Sequence, residues 1–276
     1  MNGVDRDGWP ERTFFITAST SRDAGTTDIY RDQIVSVEST ANYCISPDDF
    51  LPMLFNPYRN LTVIGLIVAC ALVFGAERMQ HSSWAENYGA NPISIVPAFQ
   101  EIIHGHWSIS AAKALSRLVS ALFLHADVEH IGFNMVFLWA FGYLTSQVLG
   151  QWRMLIVYFI CGVCGNILQV WFNADLDVSI IGASGAICGL EGVYLGLAVQ
   201  WRLPFAEVWP LAYPVPPMQI GAFAIIGFVG DMVLLANHDQ RIAYGAHLGG
   251  LLSGVVIAAV VTSIYPTMDA YQRAAK

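Results

Sequence analysis

The chain has 276 residues, of which 55% are hydrophobic and only 12% are charged, and its mean hydropathy is +0.51. Soluble domains carry about 25% charged residues, so most of this chain is predicted to face lipid rather than water. The net charge of -8 at pH 7 provides no basic stripe for phosphates, which excludes a nucleic-acid-binding protein.

Residues 1–56 mix charged residues with Ser and Thr and show no strong periodicity. We expect an N-terminal cytoplasmic segment here, either a small domain or a partly disordered tail. The acidic N-terminus lacks an apolar core, so no cleavable signal peptide is predicted. The predicted domain organisation is this segment, a membrane domain at 57–266 and a cytoplasmic tail at 267–276.

Long apolar runs separated by short polar segments fill the membrane domain. About 20 mostly apolar residues cross a bilayer as a helix, and the runs predict an all-α polytopic bundle with six spans. The predicted spans are 60–76, 118–151, 154–174, 178–201, 218–236 and 242–265. The long first loop, residues 77–117, is amphipathic, and we expect it either to lie in the outer membrane interface or to fold as an ordinary loop.

Lys and Arg residues near the span ends indicate the orientation, because short positively charged loops stay in the cytoplasm. With the N-terminus inside, the short outer loops contain only Arg241. The cytoplasmic segments then contain Arg59, Arg153, Arg202, Arg273 and Lys276. Both termini are therefore predicted to be cytoplasmic, in a bacterial plasma membrane because no other targeting segment is recognised.

Five cysteines predict no disulfide framework, because the number is odd and all but Cys44 lie in apolar runs. Cys161 and Cys164 form a CxxC motif. Inside a spanning helix this spacing is more typical of small packing residues than of a redox or metal site. No metal and no organic cofactor is predicted.

Polar residues lie early in the second, fourth and sixth spans, where ionisable groups are costly and therefore indicate function. These three spans all start at the outer face, which places their first turns in one layer. The residues are His125, His130, Asn134, Ser184 and His247. Ser184 and His247 are candidates for a nucleophile and its general base, because a serine hydroxyl is a poor nucleophile until a base takes its proton.

An oxyanion site is predicted beside this pair. Ser184 lies between glycines near a predicted helix start, where backbone N–H groups are exposed. His130 and Asn134 are spaced i, i+4, so both can donate hydrogen bonds to one point. Each feature alone is more typical of structure: a packing serine, an interfacial histidine, and a helix-packing GxxxG at Gly250 and Gly254. Their coincidence in one layer favours catalysis.

Three motifs resemble those of the rhomboid family of intramembrane serine proteases. They are HIGFN at 130–134, GASG at 182–185 and AHLGGLLSG at 246–254. Their order and their placement on the second, fourth and sixth spans also agree with the family. The resemblance covers about residues 57–266 and implies a six-helix rhomboid-like bundle. It also implies that the first loop lies partly in the outer leaflet.

The resemblance implies a role for each matching residue. Ser184 is the nucleophile and His247 is the general base. The implied oxyanion hole comprises His130, Asn134 and the backbone N–H of Ser184. His125 matches a histidine that helps to order water near the site. The supporting glycines of the motifs are Gly182, Gly185, Gly250 and Gly254.

This sequence departs from the family pattern at three positions. Cys188 stands where an aromatic residue usually packs against the catalytic histidine. The Trp-Arg pair of the first loop reads Ser116-Arg117, so only Arg117 of this supporting pair is retained. Ser146 stands where many relatives carry a glutamate. We expect Glu191, in the fourth span, to be buried and to replace that glutamate structurally.

The implied activity is hydrolysis of peptide bonds in or near the transmembrane segments of other membrane proteins. The expected partners are transmembrane substrates and the lipid bilayer. One alternative is a catalytically inactive rhomboid-like protein that binds client transmembrane helices, and Cys188 favours it. The other alternative is a transporter or channel, which would need polar residues across the full membrane.

Overall fold

The computed structural model describes residues 60–80, 84–203 and 244–274. Within these ranges the chain is helical, with a single isolated β-bridge between Ala90 and Ile180. The predicted all-α fold is therefore confirmed. The predicted segment 1–56, the fifth span at 218–236 and the last two residues of the predicted tail lie outside the described residues.

Ten α-helices follow one another along the described residues, with a short 3-10 turn at Ala121–Phe123 and a π-helical turn at Leu138–Gly142. The helices are α1 Leu61–Gln80, α2 Ala85–Tyr88, α3 Pro92–Ile103, α4 Ile109–Ser120, α5 Val128–Phe137, α6 Tyr143–Leu149, α7 Gln151–Phe172, α8 Ser184–Trp201, α9 Tyr244–Ile264 and α10 Met268–Ala274. The π-helical turn joins α5 directly to α6.

The long apolar helices identify a polytopic membrane protein. Helices α1, α7 and α9 have 20, 22 and 21 residues, which is long enough to cross a bilayer. Helix α4 with its 3-10 turn and the helix Val128–Leu149 form a pair bent by 82°, which adds at most one further span. The described ranges thus contain three or four candidate spans, and six spans remain a prediction.

Helix α8 contains four glycines and Glu191. Twelve of its 18 residues are buried, so other helices rather than lipid cover most of its surface. The burial predicted for Glu191 is confirmed, since its side chain is 8% exposed. Helix α8 forms the centre of the described bundle.

The second span begins later than the sequence predicted. Leu118 belongs to the last turn of α4, and the chain breaks between the 3-10 turn and Val128. Asp127 has an extended backbone, and its Oδ1 accepts a hydrogen bond from the His130 N–H at 2.8 Å. This is an N-cap, which fixes the start of a helix at the following residue.

The first loop folds into the short helix α2 and the two longer helices α3 and α4. Asn91 caps α3 by accepting from the Ile93 N–H, and Ser108 caps α4 by accepting from the Ala111 N–H. The turn between the two helices exposes Trp107, 81% accessible, with apolar residues beside it. This surface agrees with an amphipathic loop, and its place in the outer interface remains a prediction.

Glycines bring the backbones of α8 and α9 into direct contact. A Cβ atom on Gly250 would overlap the carbonyl oxygen of Gly185, and one on Gly254 would overlap that of Gly189. A Cβ on Gly192 would overlap the carbonyl oxygen of Leu251. Glycine at these positions lets the two backbones approach more closely than any side chain would allow. The contact extends for several turns from the start of α8.

Helix α10 packs against the other end of α8. The Trp201 Nε1–H donates to the Tyr265 carbonyl at 2.9 Å, and the Trp201 and Tyr271 rings lie 5.3 Å apart. The Tyr271 hydroxyl donates to the Leu149 carbonyl at 2.9 Å. Burial raises the pKa of Tyr271, so its hydroxyl is a donor over the whole neutral range. Most of the predicted tail is thus an ordered helix, because aromatic residues anchor it.

Tyr271→Phe is expected to lower the free energy of unfolding in detergent by about 1 kcal/mol, because it removes one hydrogen bond and keeps the ring packing. The half-exposed Tyr88 provides the matched control, and Tyr88→Phe is expected to change stability by less than about 0.5 kcal/mol. Equal effects of the two variants would contradict the anchoring role of the Tyr271 hydroxyl.

Candidate active site

Ser184 and His247 meet where α8 and α9 begin. Ser184 is the first residue of α8, and His247 is the fourth residue of α9. The distance from Ser184 Oγ to His247 Nε2 is 2.8 Å, and the imidazole is 8% exposed. A neutral imidazole at this distance can accept the hydroxyl proton. The geometry is that of a nucleophile beside a base.

The glycine contact explains this proximity. Gly185 directly follows Ser184, and a Cβ on it would lie 3.0 Å from the Ala246 carbonyl oxygen. Gly250, one turn after Ala246, lies against the Gly185 carbonyl. The two helices therefore touch through backbone atoms directly beside the Ser184–His247 pair, and neither can shift without moving one of these residues.

His130 lies close to Gly182, two residues before Ser184. A Cβ on Gly182 would lie 2.8 Å from His130 Nε2 and 3.7 Å from Ser184 Oγ. Gly182 has a φ of +123°, a conformation that favours glycine, and its N–H donates to the Ala121 carbonyl at 2.9 Å. Glycine is thus required here both by the backbone and by the approach of the imidazole.

The contacts of His130 define its tautomer. The Ala126 N–H donates to His130 Nδ1 at 3.4 Å, so Nδ1 is the acceptor and Nε2 carries the proton. The guanidinium of Arg78, near the end of α1, donates to the Ala126 carbonyl. Together with the Asp127 cap, these bonds hold the ring so that its Nε2–H faces the residues before α8.

Asn134 is 5% exposed and lies one turn after His130 on α5. Its Nδ2 donates to the His130 carbonyl at 2.9 Å. An amide has two N–H donors, so this bond uses one of them. The side chain is thereby held on the helix face that it shares with His130.

The structure also describes three other residues that were predicted to support the site. His125 is 1% exposed, and its ring packs edge-on against His130 with 5.1 Å between centroids. Cys188 is half-buried one turn after Ser184. Arg117 lies in the last turn of α4, and no hydrogen bond joins it to Ser184 or His247 within the part of the chain that is described. The water-ordering role of His125 remains a prediction.

Sequence reasoning missed Gln169 on α7. Its side chain is 7% exposed and accepts hydrogen bonds from backbone N–H groups of the first turn of α9. The available signal was an uncharged polar residue inside an apolar run, together with Asn166 one turn earlier. Neither side chain is ionisable, so neither is as costly in a membrane as the histidines of the site.

Comparison with known proteins decides the family. Residues 112–264, more than half of the chain, match the family model of the rhomboid domain. The chain belongs to the rhomboid family. The matched region contains all three motifs and most of the described helices. The family resemblance stated from the motifs is therefore confirmed.

Three relatives show how widely this rhomboid domain is distributed. The chain is 24% identical over 224 residues to "Rhomboid protein 1, mitochondrial" of Saccharomyces cerevisiae, which covers 73% of this chain and 63% of that protein. It is 29% identical over 148 residues to "Rhomboid protease GluP" of Bacillus subtilis, which covers 52% of this chain and 26% of that protein. It is 33% identical over 147 residues to "RHOMBOID-like protein 6, mitochondrial" of Arabidopsis thaliana, which covers 52% of this chain and 43% of that protein.

The chain spans less than two thirds of the length of each of these relatives. They include proteins named as mitochondrial and a bacterial protein, so the compartment varies among relatives. The rhomboid domain and the apolar helices identify a membrane protein. The bacterial plasma membrane and the cytoplasmic N-terminus remain predictions.

Proposed function

We propose that this protein is an intramembrane serine endopeptidase in which Ser184 is the nucleophile and His247 is the general base. The observation that carries the proposal is the 2.8 Å distance between Ser184 Oγ and His247 Nε2. Membership of the rhomboid family supports it, because relatives such as GluP are named proteases. The burial of His247 suits a base that must be neutral before it accepts a proton.

The proposed reaction proceeds in two steps. In the first, His247 Nε2 takes the Ser184 proton while Oγ attacks the carbonyl carbon of the scissile peptide bond. His247 then gives this proton to the departing amine, and an acyl group remains on Ser184. In the second step, a water molecule gives a proton to His247 and attacks the acyl carbon. Ser184 regains its proton and the carboxylic acid product leaves.

The proposed oxyanion hole lies between α5 and the start of α8. Negative charge develops on the carbonyl oxygen during both attacks, and donors fixed in advance stabilise it most effectively. The Nε2–H of His130 faces this region because its Nδ1 is already an acceptor. The Ser184 N–H belongs to the first turn of α8, where N–H groups lack partners within the helix. The second Nδ2–H of Asn134 is the third proposed donor.

The proposed substrates are transmembrane segments of other proteins in the same bilayer. A peptide bond inside a helix is not accessible to a nucleophile, so the substrate must locally unwind. Substrates with Gly, Pro or other weak helix formers near the outer membrane face are therefore favoured. With both termini in the cytoplasm, water would reach Ser184 from outside, past polar residues at the start of α5 such as Asp127 and Glu129.

Two measurements on the purified full chain test the proposal. We expect cleavage of a model transmembrane substrate in liposomes, and labelling of Ser184 by a serine-reactive fluorophosphonate probe. Labelling without cleavage would mean a competent enzyme with the wrong substrate. Neither labelling nor cleavage by a folded protein would contradict the proposal and favour the client-binding alternative. Restoring an aromatic residue with Cys188→Tyr would then be the next variant.

Gly182→Ala is expected to reduce cleavage at least about tenfold while the protein remains folded. The methyl group requires a strained φ and displaces His130, which costs about 1–3 kcal/mol at this position. Gly132, two residues after His130 on α5, has no described atom within 4 Å of a built Cβ. Gly132→Ala is the matched control and is expected to retain activity. Equal cleavage by the two variants would contradict the proposed oxyanion role of His130.

A further inference from the structure

Gln169 caps the helix that carries His247, although it lies on a different helix. Its Oε1 accepts hydrogen bonds from the Gly245 N–H at 2.6 Å and from the Ala246 N–H at 3.3 Å. These two residues directly precede His247 in the first turn of α9. One buried oxygen thus satisfies two of the four N–H groups that a helix start leaves without partners.

The cap on α9 comes from another helix. More often the cap is a Ser, Thr, Asp or Asn directly before the helix, whose side chain accepts from the first turn. Gln169 supplies the oxygen from α7, where the side chain is shielded from solvent.

The packing of α7 against α9 keeps this oxygen in place. A Cβ on Gly245 would lie 2.7 Å from Gln169 Oε1 and 2.9 Å from Gln169 Cα. One turn earlier on α7, a Cβ on Gly165 would lie 2.5 Å from the Ala246 carbonyl oxygen. The first turn of α9 is therefore held by hydrogen bonds to its N–H groups and by close contact at its carbonyls.

We propose that Gln169 is a positioning residue that fixes His247 at hydrogen-bonding distance from Ser184 by capping α9 from α7. The proposal rests on the proposed protease function and extends it beyond the groups that react. The capped peptide groups form the backbone from which the imidazole projects. A displacement of about 1 Å in a catalytic group can cost about a hundredfold in rate, so control of this turn controls the proton transfer.

The test uses two substitutions that separate the oxygen from the packing. Gln169→Met keeps a long unbranched side chain and removes the acceptor. Gln169→Glu keeps an acceptor oxygen whether or not the carboxyl is ionised. The matched control is Asn166→Leu, which removes another buried hydrogen bond of α7, from Asn166 Nδ2 to the Leu118 carbonyl at 2.8 Å. That bond does not involve α9.

Gln169→Met is expected to lower kcat and the rate of Ser184 labelling about tenfold, with KM unchanged. Gln169→Glu is expected to stay within about threefold of the wild-type kcat. Asn166→Leu is expected to lower the melting temperature and to retain the wild-type kcat. Wild-type kcat in Gln169→Met, or equal losses of kcat in Gln169→Met and Gln169→Glu, would overturn the proposal.

Hydrogen exchange provides a second readout that does not depend on activity. The amides of Gly245 and Ala246 are expected to exchange about tenfold faster in Gln169→Met, while those at the centre of α9 keep their wild-type rates. Unchanged exchange at these amides would overturn the capping role even if kcat falls. If the folded wild type neither cleaves a substrate nor labels at Ser184, the protease proposal fails, and the exchange result alone decides whether Gln169 caps α9.

Discussion

Ser184→Ala is expected to abolish cleavage, with a fall in kcat of more than about 10³-fold to the background of the assay. The alanine side chain has no hydroxyl proton for His247 to remove and no oxygen that can attack a carbonyl carbon. His247→Ala is expected to have an effect of similar size, because the hydroxyl is a poor nucleophile without its base. The double variant should be no slower than either single variant, since the two residues act as one unit.

Cleavage of a transmembrane substrate in liposomes and the melting temperature in detergent are measured for all three variants. Ser263→Ala is the matched control, because Ser263 lies on α9 with His247 and, among the described residues, its hydroxyl bonds only its own helix, by donating to the Ala259 carbonyl. Wild-type rates are expected for this control. Residual activity in folded Ser184→Ala above the assay background would show that another residue is the nucleophile.

Gly250→Ala is expected to lower cleavage by about a hundredfold and the free energy of unfolding by about 1–3 kcal/mol. The new methyl group would overlap the carbonyl oxygen of Gly185, a backbone atom that cannot rotate away. Relief requires α9 to move from α8, which also separates His247 from Ser184. A single methyl group would thereby affect both the packing and the proposed reaction.

Two further glycine substitutions separate these effects. Gly254→Ala meets the Gly189 carbonyl one turn further from the site, so it should lower stability by a similar amount and cleavage by less. Gly65→Ala, on α1, places its methyl group where no described atom lies within 4 Å, so both quantities should be unchanged. If all three variants behave alike, the direct contact of the α8 and α9 backbones does not determine the geometry of the site.

The candidate site was accessible to sequence reasoning because its chemistry is costly in a membrane. Histidines and a glycine-flanked serine in apolar runs are rare enough to indicate function, and their order along the chain matches one family. The helices were predictable for a different reason: a long apolar run in a bilayer must satisfy its backbone hydrogen bonds internally, and a helix does this within one segment. The start of the second span was not, because a local cap at Asp127 outweighs the apolar pattern that begins at Leu118.

The residues that support the site were less accessible. Gln169 acts on the turn before His247 from a position 76 residues away from Gly245 in sequence, and no local pattern reveals that pairing. The docking of α10 likewise depends on Tyr271 reaching the Leu149 carbonyl across 122 residues. Such bonds exist only because helices distant in sequence are neighbours in the bundle.

The amino-acid sequence by itself determined that this is an all-α membrane protein of the rhomboid type, and it identified Ser184 and His247 as the candidate pair. The apolar composition is sufficient for the fold type. The order of the motifs is sufficient for the pair, because serine between glycines and histidine are uncommon in apolar runs. Only the tertiary structure decided the 2.8 Å distance between the two side chains, the tautomer of His130 and the cap on α9. These depend on how closely the backbones approach, which is set by glycine contacts between helices that adjoin only after folding.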